Sequence, residues 1–385
     1  MSARASELLE FCRSQSAWVQ EVVETLVSLE SPSDDKAAVD KCGAELTRRL
    51  VALGANVTRL PQTSCGDHLR AEWRQGHASD SPLPTILLLG HFDTVWPRGT
   101  LERMPLHQRD DRLYGPGIFD MKAGIAASML AMRALAESPA TRPDVVMMWT
   151  ADEEIGSTTS RVAIEETARS ADAVLVLEPS LPGGAAKTSR KGVGEFELVV
   201  NGVAAHAGLD PEKGVSAIHE LARQVIALES LQDAKRGITI NVGVIAGGSR
   251  TNVIADRATA HIDVRVQTMD DAARLEKAIR SLGPTRPSIR LNVEGGIGRP
   301  PLERSTAVVR LYERARAVAA ALDRDLKEGA AGGGSDGNFT AAIGVPTLDG
   351  LGPQGDGAHA VHEHVLVSDL AWRAAFLAGF IESFG

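Results

Sequence analysis

The sequence predicts an α/β protein whose central mixed, largely parallel sheet is flanked by helices, with a smaller domain of βαββαβ order inserted into it. Three observations carry this reading. Short apolar runs, TILLLG (85–90), DVVMMWT (144–150) and ADAVLVLE (171–178), stand between turn signals, as strands buried on both faces of a parallel sheet do. Segments of helical period separate them, notably KAGIAASMLAMRALAES (122–138), and alternating strand and helix argues for right-handed crossovers in one layered sheet. After about residue 190 the style changes to strands that alternate apolar and polar residues.

Taken in order, the first ~25 residues repeat apolar positions at helical spacing, and KAAVDKCGAELTRRLVALG (36–54) does so again, ending at Gly54. The three buried strands follow. GEFELVVNG (194–202) then alternates as a half-exposed strand does, followed by a helical stretch (213–230), two strand-like runs (238–246 and 252–267), a helix DDAARLEKAIRSLG (270–283) and a strand (288–294). That order is the one of a ferredoxin-like sandwich. A helix at 308–322 and another after Asp369 return to the first style. The organisation expected is therefore one domain from 1–190 and 300–385, with 191–299 inserted. GAAGGGSDGN (329–338) is the one stretch of biased composition.

Composition bounds the function. At 385 residues the chain has room for two cores, and its 43% hydrophobic and 24% charged residues are ordinary for a globular protein. The 41 basic and 50 acidic residues give a net charge of −9, which disfavours a nucleic-acid surface. Cys12, Cys42 and Cys65 are odd in number and lack CxxC spacing, so neither a disulfide scaffold nor a cysteine zinc site is expected. The N-terminal stretch lacks an apolar signal core, and no run approaches the ~18 apolar residues of a membrane span. A reduced, cytoplasmic, soluble protein without membrane or nucleic-acid partners is the expectation.

Chemistry collects where the strands end. TILLL runs into Gly90-His91-Phe92-Asp93, DVVMMWT into Asp152-Glu153-Glu154, and ADAVLVL into Glu178. The carboxyl ends of parallel strands share one edge, where ligands bind. Asp120 lies in YGPGIFDMKAG, a glycine-rich loop entering a helix, and reaches the same rim by this reading. Histidine with several carboxylates and no cysteine suits catalytic zinc or a related divalent ion. One carboxylate can bridge two metals that clamp and acidify a water, and a spare carboxylate can act as general base. Adjacent Glu153 and Glu154 would divide the roles of general base and metal ligand. Singly, each feature is an ordinary loop histidine, cap or acidic turn; their joint placement at strand ends makes the case.

These segments also match a known pattern. GHFDTV (90–95), YGPGIFDMKAG (114–124), TADEEIGS (150–157), LEPS (177–180) and GAHAVHE (357–363) resemble, in order, the signatures of the M20 metallopeptidases. That family includes glutamate carboxypeptidases, aminoacylases, acetylornithine deacetylase and succinyl-diaminopimelate desuccinylase. The similarity covers nearly the whole chain and is strongest to the bacterial glutamate carboxypeptidase (carboxypeptidase G-like) branch.

The resemblance implies a zinc-exopeptidase-like catalytic domain with an inserted lid or dimerisation domain, and two Zn2+ per chain, with Co2+ or Mn2+ as alternatives. His91 and Glu178 would hold one ion, Glu154 and His359 the other, and Asp120 would bridge them. Glu153 would be the general base, and Asp93 would orient the His91 imidazole. A cis peptide is implied after Asp120. Three histidines, His359, His362 and His364, lie within six residues; the family pattern selects His359, with His362 as the rival. DMKAG departs from the common DMKGG at Ala123.

In the inserted domain, NGVAAHAG (201–208) resembles the segment whose histidine, here His206, steadies the developing oxyanion. In dimeric relatives that histidine comes from the partner subunit. Asn252 and Arg265 resemble substrate-side residues, an arginine being suited to grip a free α-carboxylate by two parallel hydrogen bonds. Arg299 and Lys187 are further candidates for that anionic end. Gly333, in GGGSDGNF (332–339), would bring backbone N–H groups to it.

The function so implied is hydrolysis of an amide beside a free carboxylate, releasing a C-terminal amino acid, glutamate first, from a small-molecule substrate. A homodimer through the inserted domain is also implied. The alternative is an N-acyl-amino-acid deacylase using the same metal site. More remote are a dehydrogenase, disfavoured because no GxGxxG follows the first strand, and a binding protein without catalysis.

Overall fold

A computed structural model describes residues 3–74, 83–137 and 142–385. The chain divides into two compact units, one of Met1–Ser189, Arg304–Ala331 and Ser335–Gly385, the other of Arg190–Glu303 and Gly332–Gly334.

The first unit is built on a six-stranded sheet in the order Asn56–Leu60, His68–Trp73, Asp144–Thr150, Thr85–His91, Ala173–Val176, Thr347–Leu348. The last four strands run parallel and the first two are antiparallel additions at one edge. Side chains alternate across a strand, and here the alternation divides two cores. Ile86, Leu88, Val145, Met147, Trp149, Ala173 and Leu175 belong to one apolar cluster, which also holds the helices Ala123–Ala136 and Val367–Glu382. Leu87, Leu89, Val146, Met148, Val174 and Val176 belong to another, with Ile164, Ala168 and Phe339. Both faces are covered, which is why these strands read as unbroken apolar runs. Each fully buried leucine or valine contributes about 1.5–3 kcal/mol.

The parallel registers Leu88↔Met147 and Leu88↔Leu175 align the carboxyl ends of the central strands on one edge. Helix Lys36–Ala52 is capped by the Asp35 carboxylate, which accepts the Ala38 N–H, and the chain turns away at Gly54 with φ 83°. Residue 138, at the end of the helix expected over 122–138, lies outside the described residues. The antiparallel strands Asn56–Leu60 and His68–Trp73 were not among those expected; the first has the exposure pattern of a mostly solvated edge, and the second alternates apolar Leu69, Ala71 and Trp73 with polar Arg70 and Glu72.

The second unit holds four strands, Gly192–Asn201, Thr239–Gly247, Arg257–Val266 and Arg290–Arg299. They lie in the order second, third, first, fourth, every neighbour antiparallel. With helices Ala217–Glu229 and Met269–Arg280 this is the ferredoxin-like arrangement. Phe196, Leu198 and Val200 join Leu221, Leu228, Leu275 and Ile279 in its core. Ser216 and Thr268 cap the helices by accepting the N–H of His219 and Asp271. The strand expected from residue 252 begins at Arg257. Residues 252–254 pair elsewhere: Asn252 C=O accepts the Ala207 N–H at 2.9 Å, and Ala205 C=O accepts the Ile254 N–H at 2.9 Å.

Candidate metal centre

Five side chains converge at the carboxyl edge of the first unit's sheet. His91, ending the strand Thr85–His91, is 1% exposed. Its Nε2 lies 3.2 Å from Asp120 Oδ1 and 3.5 Å from Glu178 Oε1. The half-exposed His359 places its Nε2 3.2 Å from Glu154 Oε2 and 3.4 Å from Asp120 Oδ2. The two oxygens of Asp120 thus face different imidazoles. Glu153 completes a second donor group with His91 and Glu178.

Electrostatics without an ion are extreme. Burial opposes the His91 imidazolium, but hydrogen bonds to Asp120, Asp93 and Glu178 raise its pKa well above the ordinary 6.5. Hydrogen bonds to Asp120 and Glu154 raise His359 to about 10. Burial also opposes ionisation of Asp120, yet the two imidazoles hold its carboxyl well below the usual range. Burial pushes the Glu154 carboxyl up, against its hydrogen bond with His359. A group of carboxylates held together by two protons is what a divalent cation replaces. The donor separations of 3.2–3.5 Å match the edges of a tetrahedron around an ion bonded at about 2.0–2.2 Å. The residues fit zinc.

Backbone and buried partners set these directions. The peptide Asp120–Met121 is cis, and His359 adopts φ 61°. Gly90 lets Met121 approach, for a Cβ there would lie 2.6 Å from the Met121 methyl. His91 Nδ1 meets the Asp93 carbonyl oxygen at 3.1 Å and the Asp93 carboxylate at 3.5 Å. That fully buried carboxylate accepts the N–H of Glu153 and of Glu154, each at 3.3 Å, and the Ser33 hydroxyl at 2.7 Å. Asp93 therefore touches the backbone of both acids as well as the imidazole.

Asp152, the first acid of the triplet, points into the protein. Its Oδ2 accepts the Thr159 N–H and hydroxyl, both at 2.8 Å, and the Ser160 N–H at 3.3 Å. Cys65, His68 and Asp152 form a buried trio of potential ligands. The Thr159 hydroxyl fills their centre, 3.1 Å from Cys65 Sγ and 2.9 Å from His68 Nε2. The trio serves to hold the turn that carries Glu153 and Glu154. Sequence reasoning assigned nothing to Ser33, His68, Thr159 or Glu363; only Glu363 carried a signal, its place inside GAHAVHE.

The model of peptidase family M20/M25/M40 matches residues 87–383. The chain belongs to this family. It is an M20 hydrolase, a metallo-amidohydrolase by membership. It is 29% identical over 392 residues to carboxypeptidase G2 of Pseudomonas sp. (strain RS-16), covering 99% of this chain and 93% of that protein. It is 27% identical over 371 residues to succinyl-diaminopimelate desuccinylase of Delftia acidovorans (strain DSM 14801 / SPH-1), covering 91% and 94%. Among solved structures, aminopeptidase PepT from Bacillus cereus ATCC 10987 superposes with a TM-score of 0.80 at 24% identity over 96% of this chain and 98% of that one, a likeness of fold.

The remaining expected site residues of this M20 hydrolase are divided between the two units. Lys187 is buried in the first unit, its backbone bridged to Asp349. In the second unit His206 is exposed, paired in backbone register with Val253 beside Asn252. Its Nδ1 accepts the N–H of Gly208 and Leu209 at 3.2 and 3.1 Å, so the neutral ring carries its proton on Nε2. Arg265 already directs its fork at Asp263, with contacts of 2.9 and 2.7 Å. Gly333 is exposed, its carbonyl accepting from Arg190 at 3.3 Å, and Arg299 packs beside Gly334. His359, not His362, meets Glu154 and Asp120. Among the described residues no helix is long and apolar enough to cross a membrane.

Proposed function

We propose that this M20 hydrolase cleaves an amide bond beside a free carboxylate and releases a C-terminal amino acid, glutamate first. The observation that carries the metal chemistry is the Asp120 carboxylate, one oxygen toward His91 and the other toward His359. Two zinc ions, one held by His91, Glu178 and Asp120 and one by His359, Glu154 and Asp120, with Co2+ or Mn2+ as alternatives, would polarise the scissile carbonyl and acidify a water.

Glu153 takes the proton of the attacking water and passes it to the leaving amine. Its backbone N–H is held by Asp93, which keeps the carboxylate on station. His206 donates its Nε2–H to the tetrahedral oxyanion. Asn252, Arg299, Lys187 and the N–H groups around Gly333 bind the substrate carboxylate, and Arg265 joins them by exchanging Asp263. Glutamate as leaving group is supported by similarity to carboxypeptidase G2 along 99% of the chain.

The second unit is the lid and the dimerisation surface. Among the described residues, its edge strand Thr239–Gly247 leaves one side unpaired and exposes Val244 and Ile245 at 58% and 65%, which supports strand pairing with a second copy. Cys12, Cys42 and Cys65 are buried free thiols, which supports a reducing, cytoplasmic setting.

A second reading, release of an acyl group from an N-acyl amino acid, is favoured by the similarity to succinyl-diaminopimelate desuccinylase. The test is elemental analysis of the purified protein, then hydrolysis of N-acyl-glutamates, other N-acyl amino acids and N-succinyl-diaminopimelate, wild type beside Glu153→Ala. Two metals per chain, preferred release of glutamate, and lost turnover with metal retained in the variant are expected. Preference for the succinylated substrate selects the second reading. Absence of metal after remetallation, or a fully active variant, overturns both.

A further inference from the structure

Four hydrogen-bond donors converge on a carboxylate that belongs to neither imidazole pair. Glu363 is 1% exposed. Its Oε2 accepts the Gly117 N–H at 2.9 Å and the Trp96 indole N–H at 2.8 Å. Its Oε1 accepts the N–H of Phe119 at 2.9 Å and of Asp120 at 3.1 Å. The backbone joins in, the Glu363 carbonyl accepting the Gly115 N–H at 3.2 Å.

Three segments meet at this one side chain. Trp96 follows the strand that ends at His91, residues 115–120 lead to Asp120, and Glu363 lies four residues after His359. The turn needs such an acceptor. Asp120 and Met121, at φ −114° and −137°, depart from helical geometry, and Gly117 has φ 69°. N–H groups in an irregular buried turn go unsatisfied unless a side chain accepts them. A carboxylate accepting several N–H bonds makes charge-assisted contacts, stronger than neutral ones.

We propose that Glu363 is a positioning residue for the metal pair. By holding the Asp120 N–H it aims the Asp120 carboxylate between His91 and His359, and through its own chain it fixes the segment carrying His359 to that turn. This rests on the reading of Asp120 as the shared ligand. The acceptor pattern makes the idea separable from packing. All four partners are donors, so an isosteric glutamine must turn its NH2 against two of them whichever way it flips.

The experiment uses the full chain as wild type, Glu363→Gln, Glu363→Asp and Trp96→Phe, each stripped of metal and titrated with zinc chloride against a chelating competitor. Thermal unfolding is followed with and without zinc. E363Q is expected to bind zinc about 10–100-fold more weakly, as loss of a partner that orients a ligand does, and to gain less thermal stability from zinc than wild type. E363D keeps both acceptors but withdraws them by one methylene, and should fall between. W96F removes one donor and leaves the three backbone contacts, so its affinity should stay near wild type.

If E363Q and E363D bind zinc as wild type does, with only the metal-free unfolding temperature lowered, Glu363 supports the fold alone and the proposal is overturned. If E363Q does not fold, the affinity of E363D decides on its own by the same criterion. Failure of the wild type to bind zinc is a separate outcome, and overturns the functional reading beneath.

Discussion

Asp93 holds Glu154 by its backbone: the buried Asp93 Oδ2 accepts the Glu154 N–H at 3.3 Å, while Oδ1 accepts that of Glu153 at the same distance. One side chain thereby sets both a candidate metal ligand and the candidate base. Replacing Asp93 with alanine removes the acceptor of both N–H groups and leaves the Ser33 hydroxyl only its longer contact with the Thr94 carbonyl at 3.3 Å. A loss of about 1–3 kcal/mol for each buried group left unsatisfied is expected, visible as a lower denaturation midpoint of the metal-free protein. Zinc affinity should fall by about 10–100-fold. An Asp93→Ala chain with unchanged zinc affinity would show that Asp93 does not orient this site.

The Thr159 hydroxyl offers a second check. His68 Nδ1 accepts the Ala151 N–H at 3.1 Å, and burial holds the ring's pKa down, so neutral His68 carries its proton on Nε2 toward Thr159. Thr159 in turn donates to Asp152. Thr159→Val keeps the shape but removes the acceptor for His68 and one donor to Asp152. It should cost about 1–3 kcal/mol and lower kcat by disturbing the turn that carries Glu153, whereas Thr159→Ser should retain both. Unfolding and steady-state kinetics on the pair decide it.

Substitutions at the neighbours Gly124 and Ala123 should differ in their effect on metal binding. A Cβ on Gly124 would stand 2.3 Å from the carbonyl oxygen of Leu177, the residue before Glu178. Gly124→Ala is expected to cost about 1–3 kcal/mol through overpacking and to weaken metal binding by moving Glu178. Ala123 is fully buried, and Ala123→Gly should cost about 1–2 kcal/mol, from the lost buried methyl together with glycine's added backbone freedom, without moving Glu178. Denaturant titration with zinc analysis separates the two.

Metal binding should release protons and tighten with pH. In the metal-free chain His359 titrates at about 10 and His91 well above its ordinary value, so both are imidazolium at neutral pH and must deprotonate to coordinate. Calorimetry in buffers of different ionisation enthalpy should detect the released protons, and a pH-independent zinc affinity would contradict this. The stability effect has the opposite sign. A folded pKa raised above 6.5 stabilises the metal-free protein fully below about pH 6.5, and that share is lost as pH rises through about 10. Half-exposure of His359 screens the effect. Metal-free His359→Gln should lose less stability than wild type over that interval.

Much was legible in the sequence because local patterns are set by local physics. Strands buried on both faces must be apolar throughout, so Thr85–His91 and Asp144–Thr150 stood out, while the edge strand Asn56–Leu60, mostly solvated, did not. Parallel strands end on one edge by construction, so His91, the acids after Thr150 and Glu178 could be assigned to one rim without coordinates. The sequence by itself determined the layered α/β unit, the ferredoxin-like insertion and the family's motif order.

Tertiary structure alone decided the distances. That Asp120 divides its oxygens between His91 and His359 depends on a turn held by Glu363, 243 residues away in the chain. That His359 rather than His362 meets Glu154 depends on a backbone with φ 61°. That Asp152 turns inward while Glu153 and Glu154 face the site depends on Thr159, His68 and Asp93 packed around one bend. Periodicity tells which face a residue occupies. Hydrogen bonds and coordination act over differences of a few tenths of an ångström, and those are fixed only when segments distant in sequence pack against one another.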